Sequence, residues 1–254
     1  MSTPARHDRL LSHLQVSGRA SVGELAQDLG VTPATIRRDL QVLADEGRLL
    51  RTYGGATVAD RRLVREVRAV DLKRAIAATA AELVVDGSTI AIGSGTTTLE
   101  FARRLVDRRL TVITNALDIA NVLADRAGIE LIILGGVVRP RMHSMLGHLA
   151  ELATTELRAD TLFMGIGAIS LTHGLMNDSV PEILTDRALR RMARSVVVLA
   201  DASKFEQVAP AYVFDLEEVD TIVTDDAVGR DLVEAVERRG VRVIVASGPE
   251  AGSR

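Results

Sequence analysis

The sequence predicts an α/β protein in two unequal parts, a small helical unit at the N-terminus and a larger part built on a mostly parallel sheet. Two observations carry this. Beyond residue 74, short apolar runs alternate with amphipathic stretches, the pattern of strands joined by crossover helices. Ala, Val, Leu and Ile dominate the 254 residues while aromatic residues make up 2%, the make-up of helices packed on a buried sheet. The same composition excludes several functions. With no Trp and so few aromatics, a stacking platform for single-stranded nucleic acid is not expected. With no Cys there is no disulfide framework, thiolate nucleophile or thiolate-bound metal. Met1 to Leu10 is too polar for a secretory signal, and no apolar run reaches the roughly 18 residues of a membrane span, so a cytoplasmic protein is expected. A net charge of -3 does not rule out DNA binding, because a small cationic module attached to an acidic domain leaves the sum uninformative.

The elements follow in order. Leu10, Leu11 and Leu14 recur at helical spacing, and Ser17-Gly18 interrupts the pattern. A second helix starts at once, because Ser21 and Glu24 have the spacing of a capping box and Val22, Leu25, Ala26 and Leu29 supply a buried face. Gly30 ends it. Thr32 is the N-cap of a third helix that begins at Pro33, where the missing N–H costs nothing. On this helix Ile36, Leu40 and Leu43 share one face, and steps of about 100° put Ala34, Arg37, Arg38 and Gln41 on the opposite arc. Two helices joined by a tight turn, the second presenting Arg and Gln outward, match a helix-turn-helix whose recognition helix enters the major groove. Arg can grip guanine O6 and N7, and Gln can do the same for adenine; the competing reading is an ordinary solvated face. Gly47 closes the helix, and Arg48 to Tyr53 reads as a strand running into Gly54-Gly55, a wing on which Arg51 and Tyr53 lie near the phosphate backbone, or on which Tyr53 simply packs on Leu49.

Residues 58–74 mix Arg61, Arg62, Arg65, Arg68, Lys73 and Arg74 with Asp60, Glu66 and Asp71, and read as a linker, most of its charges on a solvated helix. The DNA-binding unit is therefore placed at 1–57 and the larger domain at 75–254. In the latter, strands are expected at 89–92, 110–114, 129–134, 161–165, 196–200, 221–224 and 241–246. Helices are expected at 75–85, 97–106, 116–127, 149–157, 182–193 and 228–239.

In such sheets ligands bind beyond the carboxyl ends of the strands. The first post-strand loop, Gly93-Ser94-Gly95-Thr96-Thr97-Thr98, leads into a helix, so its free N–H groups and hydroxyls suit a phosphate; it lacks the spacing and Lys of a Walker loop. A merely tight connection is the plainer alternative. Asn115, Gly135-Gly136 and the run Asp201-Ala202-Ser203-Lys204-Phe205 follow later strands and could converge with it, with Lys204 as counter-ion rather than an ordinary surface lysine. No cofactor and no metal are expected: His7, His13, His143, His148 and His173 lack ligand spacing, leaving at most a contact from His143 or His148 to a ligand hydroxyl.

Val31-Thr32-Pro33-Ala34-Thr35-Ile36-Arg37-Arg38-Asp39-Leu40, then Gly47 and Arg51-Thr52-Tyr53-Gly54-Gly55-Ala56, resemble the DNA-binding signature of the DeoR family of transcription regulators. Gly95-Thr96-Thr97, Thr114-Asn115, Leu134-Gly135-Gly136, Gly147, Ala159-Asp160 with Phe163 and Gly165, and Asp201 to Phe205 resemble that family's effector domain, which is similar in fold to ribose-5-phosphate isomerase. The resemblance implies DNA contacts from Ser21, Thr32, Pro33, Ala34, Thr35, Arg37, Arg38, Gln41, Arg51 and Tyr53. It implies a phosphorylated sugar or sugar derivative held by Ser94 to Thr98, Asn115, Gly135, Gly136 and Lys204. It further implies a repressor of a sugar-catabolism operon, a homodimer or homotetramer on a symmetric operator. Two positions depart from the pattern: Gly93 stands where many members carry Asp, and Asp186 where members often carry Lys. The rival function is a sugar-phosphate isomerase with a DNA-binding arm. The isomerase places its carboxylates in a stretch that here reads Met164-Gly165-Ile166-Gly167-Ala168, without any; Asp178 and Glu182 lie nearby in sequence but read as a helix cap or surface charge. A transferase using an acyl thioester would need a nucleophilic Glu in a Gly-rich turn, which is missing.

Overall fold

The computed structural model describes residues 3–17, 19–45, 48–58, 61–140, 142–205 and 207–247. The chain divides into two compact units, Met1–Val70 and Asp71–Arg254.

The first unit runs α1 (Thr3–Ser17), β1 (Arg19–Ser21), α2 (Val22–Leu29), α3 (Pro33–Asp45), β2 (Leu49–Thr52) and β3 (Gly55–Val58). The capping box at Ser21 forms as expected, with Ser21 N donating to Glu24 Oε2 at 2.7 Å and Glu24 N to Ser21 Oγ at 3.2 Å. Gly30 ends α2 in the left-handed region at φ 64°, and Thr32 caps α3 by accepting from Thr35 N at 3.3 Å. Gly18 and Gly47, expected to end α1 and α3, lie outside the described residues. Leu10, Leu14, Leu25, Ile36, Leu40, Leu43 and Leu49 are each at most 1% exposed and form one core. The wing is a three-stranded antiparallel sheet in the order β1-β3-β2, of which β2 alone was expected; β1, at three residues, is too short for an alternating pattern to register, and β3 begins at the Gly55 that was expected to end the wing. Gly55 is needed in β3, since a Cβ there would lie 2.2 Å from the Ala20 carbonyl oxygen across the sheet.

The expected linker and the helix after it are one element, α4 (Arg61–Ala81), which ends four residues before the expected position and within which the boundary of the two units falls. The second unit continues with β4 (Thr89–Ile92), α5 (Thr96–Arg103), β5 (Leu110–Thr114), α6 (Leu117–Leu123), β6 (Ile129–Ile133), β7 (Val137–Val138), β8 (Met145–Leu146) and α7 (His148–Glu156). Then come β9 (Ala159–Gly165), β10 (Ala168–Ser170), β11 (Gly174–Asn177), α8 (Ile183–Met192), β12 (Ala193–Leu199), β13 (Ala211–Phe214), β14 (Thr221–Asp225), α9 (Arg230–Glu237) and β15 (Arg242–Ala246). Seven of the strands make the expected parallel sheet, in the order β15-β14-β12-β9-β4-β5-β6, with every neighbouring pair parallel. Alternate residues serve its two faces. Ala91, Leu162, Met164 and Val198 enter one core cluster, while Ile90, Ile92, Phe163 and Val197 enter the other, where Phe101 of α5 stacks on Phe163 with ring centroids 4.4 Å apart. Two smaller sheets, β10-β11-β13 and β7-β8, are antiparallel and were not expected.

This order locates a crevice. From β4 the chain builds outward through β5 to β6, then returns to the other side of β4 for β9 and builds outward through β12, β14 and β15. The reversal puts a switch point between β4 and β9, where the loops leaving their carboxyl ends diverge and leave space for a ligand.

Candidate functional site

At that switch point lies a cavity of about 310 Å³, lined by the loop after β4, the loop after β9, the segment from Asn177 to α8, and the turn after β12. Ser94, Gly95, Thr96 and Thr97 from the first and Lys204 from the last meet there, as the sequence suggested. Gly95 is the N-cap of α5 and offers no side-chain cap, so the first amides of the helix have no partner from a capping group. Lys204 is held by a short 3-10 turn whose N-cap, Asp201, accepts from Ser203 N at 3.0 Å. Lys204 and Lys73 of α4 both line the cavity, and neither side chain forms an ion pair or hydrogen bond among the described residues. Amides of a helix start, hydroxyls and two ammonium groups without a partner among the described residues are the kinds of donor an anion needs.

Four expected members are elsewhere. Thr98 is fully buried and its Oγ1 donates to the Gly95 carbonyl at 3.0 Å, shaping the loop from inside. Asn115 is 1% exposed and its Nδ2 donates to the Met145 carbonyl at 3.3 Å, which ties the β7–β8 hairpin to the end of β5. Gly135 and Gly136 follow β6, the edge strand, with positive φ of 73° and 112°. At Gly136 a Cβ would lie 2.5 Å from the Leu146 carbonyl oxygen, so that glycine serves the hairpin rather than a ligand. His143 and His148 likewise do not line the cavity; His143 Nδ1 is 2.9 Å from Asp118 Oδ1.

In their place the fold brings residues that sequence reasoning set aside or missed: Arg139, Asn177, Asp178, Ser179, Glu182 and Asp186. Glu182 is buried; its Oε1 accepts from Ser144 Oγ at 2.9 Å and pairs with Arg139 at 3.0 Å. It stands at the N-cap position of α8 but makes no side-chain cap bond, and it is not a surface charge. Asn177 is fixed by accepting from Gly167 N at 2.8 Å, and its Nδ2 donates to Asp186 Oδ2 at 2.7 Å. Burial, followed by the nearby Glu182 charge, pushes the Asp186 carboxyl up to about 7 against the opposing hydrogen bond from Asn177. Asp186 was marked in the sequence by its departure from the family pattern, and the i, i+4 spacing to Glu182 at the start of the same helix is the local signal that could have paired the two.

In the first unit Ala34, Arg37, Arg38 and Gln41 are exposed along α3, as are Thr32 and Pro33 at its start, while Thr35 is half-buried. Arg37 and Arg38 make no ion pair or hydrogen bond among the described residues. Gln41 is committed: its Nε2 donates to Asp45 Oδ1 at 2.7 Å and its Oε1 accepts from Arg51 of β2. Gln41 and Arg51 therefore brace recognition helix against wing. Ser21 spends its acceptor on the cap. Tyr53 sits on the wing turn fully exposed while Leu49 is buried, which removes the packing alternative. Asp39, between Arg38 and Leu40, is buried: both its oxygens accept from the Arg6 guanidinium, with Nη2–Oδ1 at 2.9 Å, and His7 Nε2 lies 3.2 Å from Oδ1. The Arg6 bond holds the Asp39 carboxyl below the usual carboxylate range. This anchor between α1 and α3 has no sequence signal, because its partners are 33 and 32 residues apart.

Residues 6–62 match the family model for a DeoR-like helix-turn-helix domain, and residues 68–226 match that for a DeoR C terminal sensor domain. The chain is 33% identical to the transcriptional repressor AccR of Agrobacterium fabrum, over 97% of this chain and 98% of that protein. It is 33% identical to the HTH-type transcriptional repressor CsqR of Escherichia coli, covering 87% of each. It is 31% identical to the glycerol-3-phosphate regulon repressor of Escherichia coli, over 89% of this chain and 92% of that protein. Among solved structures, ribose 5-phosphate isomerase A of Methanocaldococcus jannaschii overlays with a TM-score of 0.40 at 25% identity, over 53% of this chain and 54% of that one.

Proposed function

The chain belongs to the DeoR family of transcription regulators, and from that premise we propose how it reads DNA and what releases it. It is a DNA-binding transcriptional repressor. Arg37 and Arg38 read base edges in the major groove, and Thr32, Pro33, Ala34 and Thr35 sit against the backbone at the start of the recognition helix. Tyr53 and Arg51 on the wing contact phosphates and fix register. Gln41 reads a base only by giving up its bond to Arg51. Ser21 adds a phosphate contact through its hydroxyl hydrogen while its oxygen remains the cap.

The second unit binds a phosphorylated sugar or sugar derivative, the phosphate on Ser94 to Thr97 and Lys204. The observation that carries this is the uncapped start of α5 sharing one cavity with two lysines that have no partner among the described residues. Relatives include a glycerol-3-phosphate regulon repressor, which supports a phosphorylated effector and a sugar-catabolism operon as the target. The protein acts in the cytoplasm as a homodimer or homotetramer on a symmetric operator, and the effector favours an arrangement whose recognition helices no longer fit the half-sites. Coupling of about 1 to 3 kcal/mol loosens operator binding about 5- to 150-fold.

Lys204→Ala tests the reading. Wild type should bind sugar phosphates and the corresponding free sugars far less, and the variant should bind neither well while keeping full operator affinity in the absence of effector. Titration calorimetry and an operator-release assay check the two halves. Normal sugar-phosphate affinity in the variant means the phosphate lies elsewhere.

A further inference from the structure

We propose that the ligand of this cavity carries, besides its phosphate, a primary ammonium group recognised by Asp186, as a phosphorylated amino sugar does; this rests on the reading that Ser94 to Thr97 and Lys204 take the phosphate. The argument is a count of charges and partners. Glu182 has Arg139 and the Ser144 hydroxyl. Asp201 has the Ser203 amide, and Asp178 is exposed to water. Asp186 is half-buried and has a neutral partner alone, Asn177, on Oδ2; its Oδ1 has no hydrogen bond among the described residues. Asp186 thus has no cation partner among the described residues, Lys73 and Lys204 lining the same cavity without pairing with it, and a carboxylate partly withdrawn from water without a cation is costly. Burial, and after it the Glu182 charge, pushes this carboxyl up to about 7, as expected of a carboxylate without a cation.

A ligand that is only an anion gains nothing from Asp186 and is repelled by its ionised form. A neutral hydroxyl would be served equally by Asn and would leave the charge uncompensated. A metal ion does not fit, for among the described residues no three carboxylates or imidazoles converge on one point. An ammonium supplies the missing charge and donates to the free oxygen, through a hydrogen bond about twice as strong as a neutral one. A second feature on the same segment points to a ligand: Ser179, 6% exposed and lining the cavity, has a buried Oγ without a hydrogen-bond partner among the described residues, which leaves it able to accept an N–H.

The test compares amine and hydroxyl partners on the full-length protein by calorimetry at fixed pH and salt. Glucosamine 6-phosphate is set against glucose 6-phosphate, galactosamine 6-phosphate against galactose 6-phosphate, and inorganic phosphate serves as reference. In wild type at least one amine should bind about tenfold or more tighter than its hydroxyl counterpart, and in Asp186→Asn that ratio should fall to within about twofold. Asp186→Ala should give the same collapse, covering the case in which Asn disturbs Asn177. Ratios within about twofold in wild type, or a preference that survives both variants, overturn the ammonium assignment. The underlying phosphate reading fails separately, if inorganic phosphate binds wild type and Lys204→Ala alike.

Discussion

Asp39→Ala should unhook the recognition helix from the rest of the DNA-binding unit. The carboxylate accepts from the Arg6 guanidinium on both oxygens and lies within hydrogen-bond distance of His7, and it is 4% exposed. Hydrogen bonds to charged groups contribute about 1.5 to 3 kcal/mol each, and truncating one partner of a buried pair costs about 3 to 5 kcal/mol. Arg6 keeps 12% of its side chain in solvent and can turn outward once freed, so the loss belongs at the lower end, about 2 to 3 kcal/mol. On a unit of some 70 residues this lowers the unfolding midpoint by roughly 8 to 20 °C. The assay is thermal unfolding of the full chain, with hydrogen exchange separating the two units. The first unit's transition should fall while the second stays in place, and operator affinity should drop with it. Asp39 has a lowered folded pKa, so its contribution is complete above about pH 4, the unfolded value, and fades as pH falls through the folded value. The wild-type and variant stability curves should therefore converge in acid. A midpoint for the first unit that moves by less than the equivalent of about 0.5 kcal/mol would refute the idea that this cluster sets the helix in place.

Arg37→Ala and Arg38→Ala should each weaken specific operator binding by about 1 to 3 kcal/mol, measured at one salt concentration, with unfolding unchanged because both side chains are exposed and unpartnered. Undiminished affinity in both would remove α3 from the major groove. Asp186→Asn should change the pH dependence of the second unit: the raised acid binds its proton in the folded state, so wild-type stability falls with a slope of at most about 1.4 kcal/mol per pH unit as pH rises from the unfolded value of 3.8 to about 7. The variant should lack that slope, and parallel curves would show that Asp186 is ordinarily solvated. Purified protein should not interconvert ribose 5-phosphate and ribulose 5-phosphate, because the Met164 to Ala168 stretch bears no carboxylate and Glu182 is tied to Arg139. Turnover that copurifies with the protein and disappears in Glu182→Gln would reverse this.

Much of the fold was legible because its signals are local. Ser21 and Glu24, Gly30, and Thr32 before Pro33 act within one helical turn, so the three-helix unit and its outward arginines could be read from spacing alone. The parallel strands were equally readable, since burial on both faces makes the central ones apolar runs, and the edge strands β6 and β15 keep a largely apolar sequence although they are only partly buried. The strands that escaped were β1, β3, β7, β8, β10, β11 and β13, two to four residues each, whose existence depends on a partner rather than on a pattern of their own.

For the cavity, the sequence alone singled out the loop after β4, because glycines and hydroxyls at a helix start are a local feature, and Lys204, one of few lysines in a chain that prefers arginine. Only the tertiary structure decided the rest. Asn115 and Gly136 follow strands just as Ser94 does, yet strand order places β4 beside β9 at the switch point and β6 at the edge, so the same kind of loop lines a cavity in one place and supports a hairpin in the other. Arg139, Glu182 and Asp186 come from segments tens of residues apart, as do Arg6 and Asp39. What a charged side chain does depends on which opposite charge, and how little water, the fold puts next to it, and spacing along the chain encodes neither.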